Sequence, residues 1–164
     1  DKIKELAEID ELTKVYNRRM FLEFLGLELN KARRYSRPFS VVMFDIDHFK
    51  KINDDHGHHA GDGVLQCVVD AARAAARETD ILARYGGEEF MVIAVETRLA
   101  GAEILAEKIR GTICSRAIEA ARAVTVSLGV TEWRPDDTVG SLIERVDEAI
   151  YVAKNTGRDR AVSL

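Results

Sequence analysis

Residues 81–95 leave this chain few ways to fold. The short apolar run Ile81-Leu82-Ala83 is followed by Arg84-Tyr85-Gly86-Gly87-Glu88-Glu89, then by the continuous apolar run Phe90-Met91-Val92-Ile93-Ala94-Val95. Two such runs around a glycine pair predict a β-hairpin, with Gly86 and Gly87 supplying the positive φ angles of a tight turn. The carboxylates after the turn are the anomaly. Glu88 and Glu89 repel each other, and a strand entering a core has no packing use for them. Neighbouring strand residues face opposite sides of a sheet, so the two cannot share one role without backbone distortion. A divalent cation at the tip would relieve the repulsion, and glycines would let a bulky ligand approach the backbone. A polar tip with two solvated glutamates is the plain alternative.

A second acidic stretch tips the balance. Phe39-Ser40-Val41-Val42-Met43-Phe44 reads as a buried strand running into Asp45-Ile46-Asp47. Carboxylates at the end of a buried strand are a usual way to present hard oxygen ligands to Mg²⁺. The EF-hand pattern does not account for Asp45-x-Asp47, since its sixth position requires Gly and Lys50 stands there.

Composition narrows the class. At 164 residues, 46% hydrophobic and 32% charged, the chain suits one globular domain. A net charge of −4 argues against a general nucleic-acid binder, yet leaves room for local cations around one phosphate group. No apolar run reaches the ~18–20 residues of a membrane span, so no membrane contact is expected within this segment. Cys67 and Cys114 fall in apolar helical patterns and read as buried reduced thiols. All four histidines lie between His48 and His59, but no Cys-x-x-Cys accompanies them, which argues against a zinc site.

In chain order, Asp1 to Glu8 reads as charged and helical. Asn17 predicts an N-cap for a helix over 18–35, with Phe21, Leu25, Leu29 and Ala32 on one face. A strand over 39–45 follows, then a short helical turn over 49–53, a loop bracketed by Gly57 and Gly61, and a helix over 63–76. After the hairpin comes a helix from Leu99 to near Ala117. Residues 124–131 alternate, which predicts a strand with Val124, Val126, Leu128 and Val130 on its one dry face. A helix over 139–155, stopped by Gly157, and an edge strand over 161–164 complete the chain. A hairpin set among crossovers points to a mixed sheet in an α+β sandwich.

Taken together, these motifs resemble the GGDEF family of diguanylate cyclases, in its GGEEF variant. The resemblance is carried by Arg84 to Phe90, by Asp45-Ile46-Asp47-His48-Phe49-Lys50-Lys51-Ile52-Asn53-Asp54 and by Gly57-His58-x-x-Gly61-Asp62. It extends to Asp10-Glu11-Leu12-Thr13, to Thr125 through Val130, and to Asp147-x-Ala149-x-Tyr151-x-Ala153-Lys154-x-x-Gly157-Arg158. It implies a palm-like, ferredoxin-type α+β fold with a central mixed sheet of about five strands and packed helices. It also implies a nucleotidyltransferase that condenses two GTP into cyclic di-GMP and depends on Mg²⁺, with Mn²⁺ able to stand in.

By the same resemblance Asp45, the backbone carbonyl of Ile46, Glu88 and Glu89 are the metal ligands, and Asp45, Glu88 and Glu89 the catalytic set. One glutamate, Glu88 by analogy, would take the 3′-hydroxyl proton. Lys50, Lys154 and Arg158 would contact phosphates, and Phe49, Gly86 and Gly87 would border the substrate. Lys154 and Arg158, four apart at a helix end, would share one face. Asn53 and Asp62 would read guanine, because a carboxylate at 62 accepts from N1–H and the exocyclic amine, donors that adenine does not offer there. Asp62 could equally cap a helix starting at Gly63. His58 would brace this loop. Arg77-x-x-Asp80 matches the family's product-inhibition motif, although a helix-end Arg and a turn Asp would look the same.

The implied partners are GTP, cyclic di-GMP as product and inhibitor, a second copy of the domain, and an upstream input domain missing from this fragment. No nucleic acid is expected. Residues 1–9 would be the end of a connecting helix and 10–164 the catalytic domain, working in the cytoplasm. Two departures touch the base pocket: His56 stands where an aromatic is commoner, and Lys14-Val15 replaces the commoner Gly-Leu. A nucleotide-sensing module without turnover and a polymerase-like transferase are the rival readings. Retention of Asp45, Glu88 and Glu89 weighs against the first, and Asp62 against the second.

Overall fold

The structure, a computed structural model, describes residues 7–115 and 124–164. The strands are β1 (Phe39–Ile46), β2 (Ile81–Arg84), β3 (Glu89–Val95), β4 (Val126–Glu132) and β5 (Ala161–Ser163). The helices are α1 (Arg18–Tyr35), α2 (Phe49–His56), α3 (His58–Ala75), α4 (Leu99–Ser115) and α5 (Val139–Asn155). One five-stranded sheet has the order β2-β3-β1-β4-β5. β3 lies antiparallel between β1 and β2, β1 is antiparallel to β4, and β5 adds in parallel to β4. Thus β1, α2, α3 and β2 form a βαβ unit split by β3, and β3, α4 and β4 form a second one split by β1. This is the mixed, ferredoxin-type sheet that the motifs imply.

Strand alternation divides the core into two layers. Val42, Phe44, Phe90, Val92 and Leu128 cluster with residues of α3 and α4, while Val41, Met43, Met91 and Ile93 cluster with α1 and α5. Both faces being covered, β1 is apolar nearly throughout instead of alternating.

β4 departs from expectation for the same reason. Its second face is not open: Ser127 and Thr131 are buried, and α5 lies on Gly129. A Cβ at Gly129 would stand 2.5 Å from the Val146 carbonyl oxygen and 2.7 Å from Ile150 N, so the helix backbone approaches where only glycine leaves room. The small polar residues of that face are hydrogen-bonding groups under a helix, not a wet surface.

Helix ends follow local chemistry. Asn17 caps α1 by accepting from Met20 N–H at 3.0 Å. Thr138 and Ser141 form a capping box on α5, a signal that Ser conceals by replacing the usual Glu or Gln. α3 starts at His58 and not at Gly63, so Gly57 to Gly61 is no loop. Gly57, at φ +87°, makes the break between α2 and α3. Gly61 lies inside α3, where the missing Cβ admits the Asn53 carboxamide and the Phe49 ring. Asp62 is accordingly an exposed residue within the helix, not its cap.

The remaining differences are small. Cys67 is free and half-buried rather than buried, and the Cys114 side chain and Ala117 lie outside the described residues. The helix expected over 1–9 does not include 7–9: Ile9 bridges Tyr16, which in turn bridges Ala83 of β2. Residues 1–6 lie outside the described set. Among the described residues no helix is long and apolar enough to cross a membrane.

Candidate active site

The antiparallel register sets Asp45, near the end of β1, directly opposite Glu89 at the start of β3. Asp45 is buried, and Ser127 faces it from β4 on the other side. Ile46 N–H donates to the Glu88 carbonyl at 3.3 Å and extends the pairing past the last ladder residue. Asp45, Ile46, Phe49, Lys50, Glu88, Lys154 and Arg158 line one open cleft of about 190 Å³, together with Asp47 and His48.

Charge is concentrated there. Burial lifts Asp45 above the ordinary carboxylate range, a rise that Lys154 opposes and the neighbouring Asp47 reinforces. Glu88 and Glu89 are lifted too, first by burial and next by the charge of Asp45, again against Lys154. The charge of Asp45 makes both glutamates harder to ionise. Lys154 Nζ donates to Asp45 Oδ2 at 2.7 Å and supplies part of the missing positive charge.

The two glutamates diverge, as strand geometry requires. Glu88 lines the cleft. Glu89 folds over Gly86, where a Cβ would lie 2.5 Å from Glu89 Oε2, and it feels Asp147 and Arg18 as well. Neither Gly86 nor Gly87 has the positive φ expected of them. The tip is instead a wider loop in which Tyr85 N–H and Gly86 N–H both donate to the Glu89 carbonyl, at 2.8 and 3.1 Å, a bulge-like closure that needs no left-handed residue. Glycine at 86 makes room for a carboxylate. A Cβ at the exposed Gly87 would meet open space, so nothing in the fold itself asks for glycine there.

Arg84 staples this tip. Its guanidinium donates to the Gly87 carbonyl at 2.7 Å and to the Gly86 carbonyl at 3.2 Å, and it pairs with Asp10 at 3.2 Å. Asp10 accepts from Thr13 N–H and Oγ1–H at 2.9 and 2.6 Å. Burial works to raise Asp10, but these hydrogen bonds and the Arg84 charge leave it below the ordinary range. Sequence reasoning assigned Arg84 and Asp10 no role. The available signal was an arginine placed immediately before a glycine-rich tip, which needs something to hold its carbonyls.

Lys154 and Arg158 reach the cleft by different routes, not along one helix face. α5 ends at Asn155, and Gly157, Arg158 and Asp159 follow with φ of +122°, +62° and +44°. This left-handed turn, with Arg158 N–H donating to the Ala153 carbonyl at 3.0 Å, brings Arg158 back beside Lys154.

Asn53, His58 and Asp62 fall outside the residues lining the carboxylate cleft, on α2 and α3. Asn53 Oδ1 is buried without a hydrogen-bond partner, while His58 and Asp62 are exposed. Arg77 and Asp80 sit at the opposite end of the sheet from the hairpin tip. There Asp80 accepts from Arg77 N–H at 2.9 Å and from Val95 N–H at 3.3 Å. Arg77 is exposed and borders two surface pockets.

Among the described residues no three His, Cys, Asp or Glu side chains converge into a ready-made metal cage, and this includes the four histidines. The chemistry of the cleft nevertheless suits a hard divalent cation: carboxylate and carbonyl oxygens, with ionisation suppressed by excess negative charge.

The sequence and the fold both have relatives among known proteins. The family model "Diguanylate cyclase, GGDEF domain" matches residues 7–160. Over 160 residues the chain is 37% identical to the diguanylate cyclase DgcP of Pseudomonas aeruginosa, covering 96% of this chain and 24% of DgcP. It spans less than half the length of the curated relatives it matches. The coiled coil and GGDEF domain of DgcB from Caulobacter crescentus, solved in complex with c-di-GMP, superposes with a TM-score of 0.92 at 31% identity, over 99% of this chain and 88% of that one. The active GGEEF domain of a diguanylate cyclase from Vibrio cholerae gives a TM-score of 0.86 at 32% identity, over 90% and 96%.

Proposed function

The chain belongs to the GGDEF family of diguanylate cyclases, and on that premise we propose that it condenses two GTP into cyclic di-GMP, two copies each holding one nucleotide. Each 3′-oxygen bonds to the α-phosphorus of the other nucleotide as the bond to the bridging oxygen breaks and pyrophosphate leaves. The observation that carries this reading is the register of Asp45 against Glu89, with Glu88, Lys50, Lys154 and Arg158 around the same cleft. An acidic centre rimmed by cations suits a metal-bound triphosphate.

Asp45, the Ile46 carbonyl and Glu88, with Glu89 alongside, would hold Mg²⁺ or Mn²⁺, which when bound neutralises phosphate charge and acidifies the 3′-hydroxyl. Glu88 lines the cleft and is the better placed of the two glutamates to accept the 3′-hydroxyl proton. Its ionisation, raised above the ordinary range, brings its basicity closer to neutrality. Lys50, Lys154 and Arg158 neutralise phosphate oxygens, and Phe49, Gly86 and Gly87 border the nucleotide. Asn53 and Asp62 take the guanine, with His58 bracing them; the unpartnered Asn53 Oδ1 supports this role, as a polar atom that lacks a donor.

Product would bind at Arg77. Asp80 is occupied by backbone N–H groups, so the exposed Arg77 guanidinium is the group left for product phosphates. An input domain joined through residues 1–9 would set how two copies meet, in the cytoplasm.

Incubation with GTP and MgCl₂, followed by anion-exchange chromatography, tests the reading. Cyclic di-GMP and pyrophosphate are expected. Bound but unconverted GTP would recast the chain as a sensing module, and linear products as a polymerase-like transferase.

A further inference from the structure

The turn that carries Arg158 is strained. Arg158 and Asp159 both bear side chains at left-handed φ, of +62° and +44°. Such angles cost L-residues free energy and persist only where the surroundings over-determine them. The compensation comes from Asp47, which is only 6% exposed. Asp47 Oδ2 accepts Asp159 N–H at 3.1 Å and Thr125 Oγ1–H at 2.7 Å, while Oδ1 accepts Ser127 Oγ–H at 2.7 Å. Its own N–H donates to the Thr125 carbonyl at 2.9 Å. One buried side chain therefore joins the end of β1, the start of β4 and the turn after α5. Arg110 also pairs with Asp159 at 2.9 Å, but between partly exposed side chains, where an ion pair contributes little. Both Asp47 oxygens are taken by protein donors, which sets this carboxylate apart from Asp45 two residues earlier.

We propose that Asp47 is a positioning residue, acting through Asp159 N–H to hold the left-handed turn that keeps the Arg158 guanidinium at the cleft. The inference rests on the reading of Arg158 as a phosphate ligand. Its test is a double-mutant cycle of Asp47→Asn and Arg158→Ala, with KM for GTP and kcat measured for cyclic di-GMP formation. Asp47→Asn is nearly isosteric but removes the charge and leaves one acceptor oxygen for the donors of Asp159, Thr125 and Ser127.

The expected result is a rise in KM of about tenfold, the effect of losing one hydrogen bond, with kcat little changed. In the Arg158→Ala background the same change should add nothing. Asp159 amide exchange should accelerate in Asp47→Asn by more than that of the β1 and β3 amides, which report global opening. An unchanged KM, or a penalty that simply adds to that of Arg158→Ala, overturns the proposal. An unchanged KM in Arg158→Ala alone overturns the phosphate reading instead. If Asp47→Asn does not fold, Thr125→Val removes the second donor from the same oxygen. It should raise KM less, and only while Arg158 is present; no rise would count against the proposal.

Discussion

Glu89 stands directly across from Asp45 in the β1–β3 register, and both carboxylates are lifted above their ordinary range by burial, Asp45 further by Asp47 and Glu89 by the charge of Asp45. A carboxylate with a raised folded pKa binds its proton more tightly in the folded state. The stability it contributes is present below that pKa and is lost as pH rises through it. At neutral pH the ionised pair therefore works against folding. Glu89→Gln is expected to abolish cyclic di-GMP formation and yet to raise the melting temperature by about 2 °C. Calorimetry and product chromatography on the same sample check both halves; a variant that melts lower contradicts the electrostatic account.

The same shifts set a pH dependence. Asp45 and Glu88 must be ionised to hold a cation, so activity should fall on the acid side at a pH above the ordinary carboxylate range. Protons and Mg²⁺ compete for the same oxygens, so raising Mg²⁺ should move that acid limb to lower pH. Rate profiles at low and high Mg²⁺ check this. A limb that ignores Mg²⁺ belongs to some other group.

Arg84 holds the carbonyls of Gly86 and Gly87 while pairing with Asp10. Arg84→Met keeps the length of the side chain and removes every one of these bonds. We expect kcat to drop by about tenfold, in keeping with a misplaced tip next to the reacting groups. Asp10→Asn should cost less, because the carbonyl contacts of Arg84 survive. Steady-state kinetics with circular dichroism separates this outcome from unfolding.

Gly61→Ala should weaken base recognition. A Cβ there would run into the Asn53 carboxamide, the end of a side chain that can swing away. The fold should persist while KM for GTP rises and selectivity over ATP falls; competition of ATP against GTP turnover is the measurement. Selectivity equal to that of the unaltered chain would remove Asn53 from the base site.

Gly129→Ala meets backbone that cannot swing, at Val146 and Ile150. Forcing α5 off β4 should destabilise the domain by about 2–3 kcal/mol, the range for overpacking a core. Urea denaturation reads this directly.

Much of the fold was legible from local chemistry. α1 and α5 keep their expected bounds because Asn17 and Gly157 are signals that act within a few residues. β1 and β3 announce themselves as apolar runs. What escaped is non-local. Gly61 reads as a loop residue until Asn53 of the preceding helix is seen against it, and Gly129 reads as exposed until α5 lies on it. Arg158 obeys helix periodicity on paper but arrives by a left-handed turn. The site was legible in residue type, since adjacent carboxylates at strand ends have no packing purpose. That Asp45 faces Glu89 was not, because register depends on which strands pair, and no spacing within either segment encodes it.

Asp45 and Glu89 lie on β1 and β3, two of the three strands that have paired neighbours on both sides in the order β2-β3-β1-β4-β5. Interior strands are the last part of a domain to open, so the acidic centre has no private way to loosen. Heating should leave catalysis intact until the molecule melts as a whole, with inactivation and unfolding tracing a single curve.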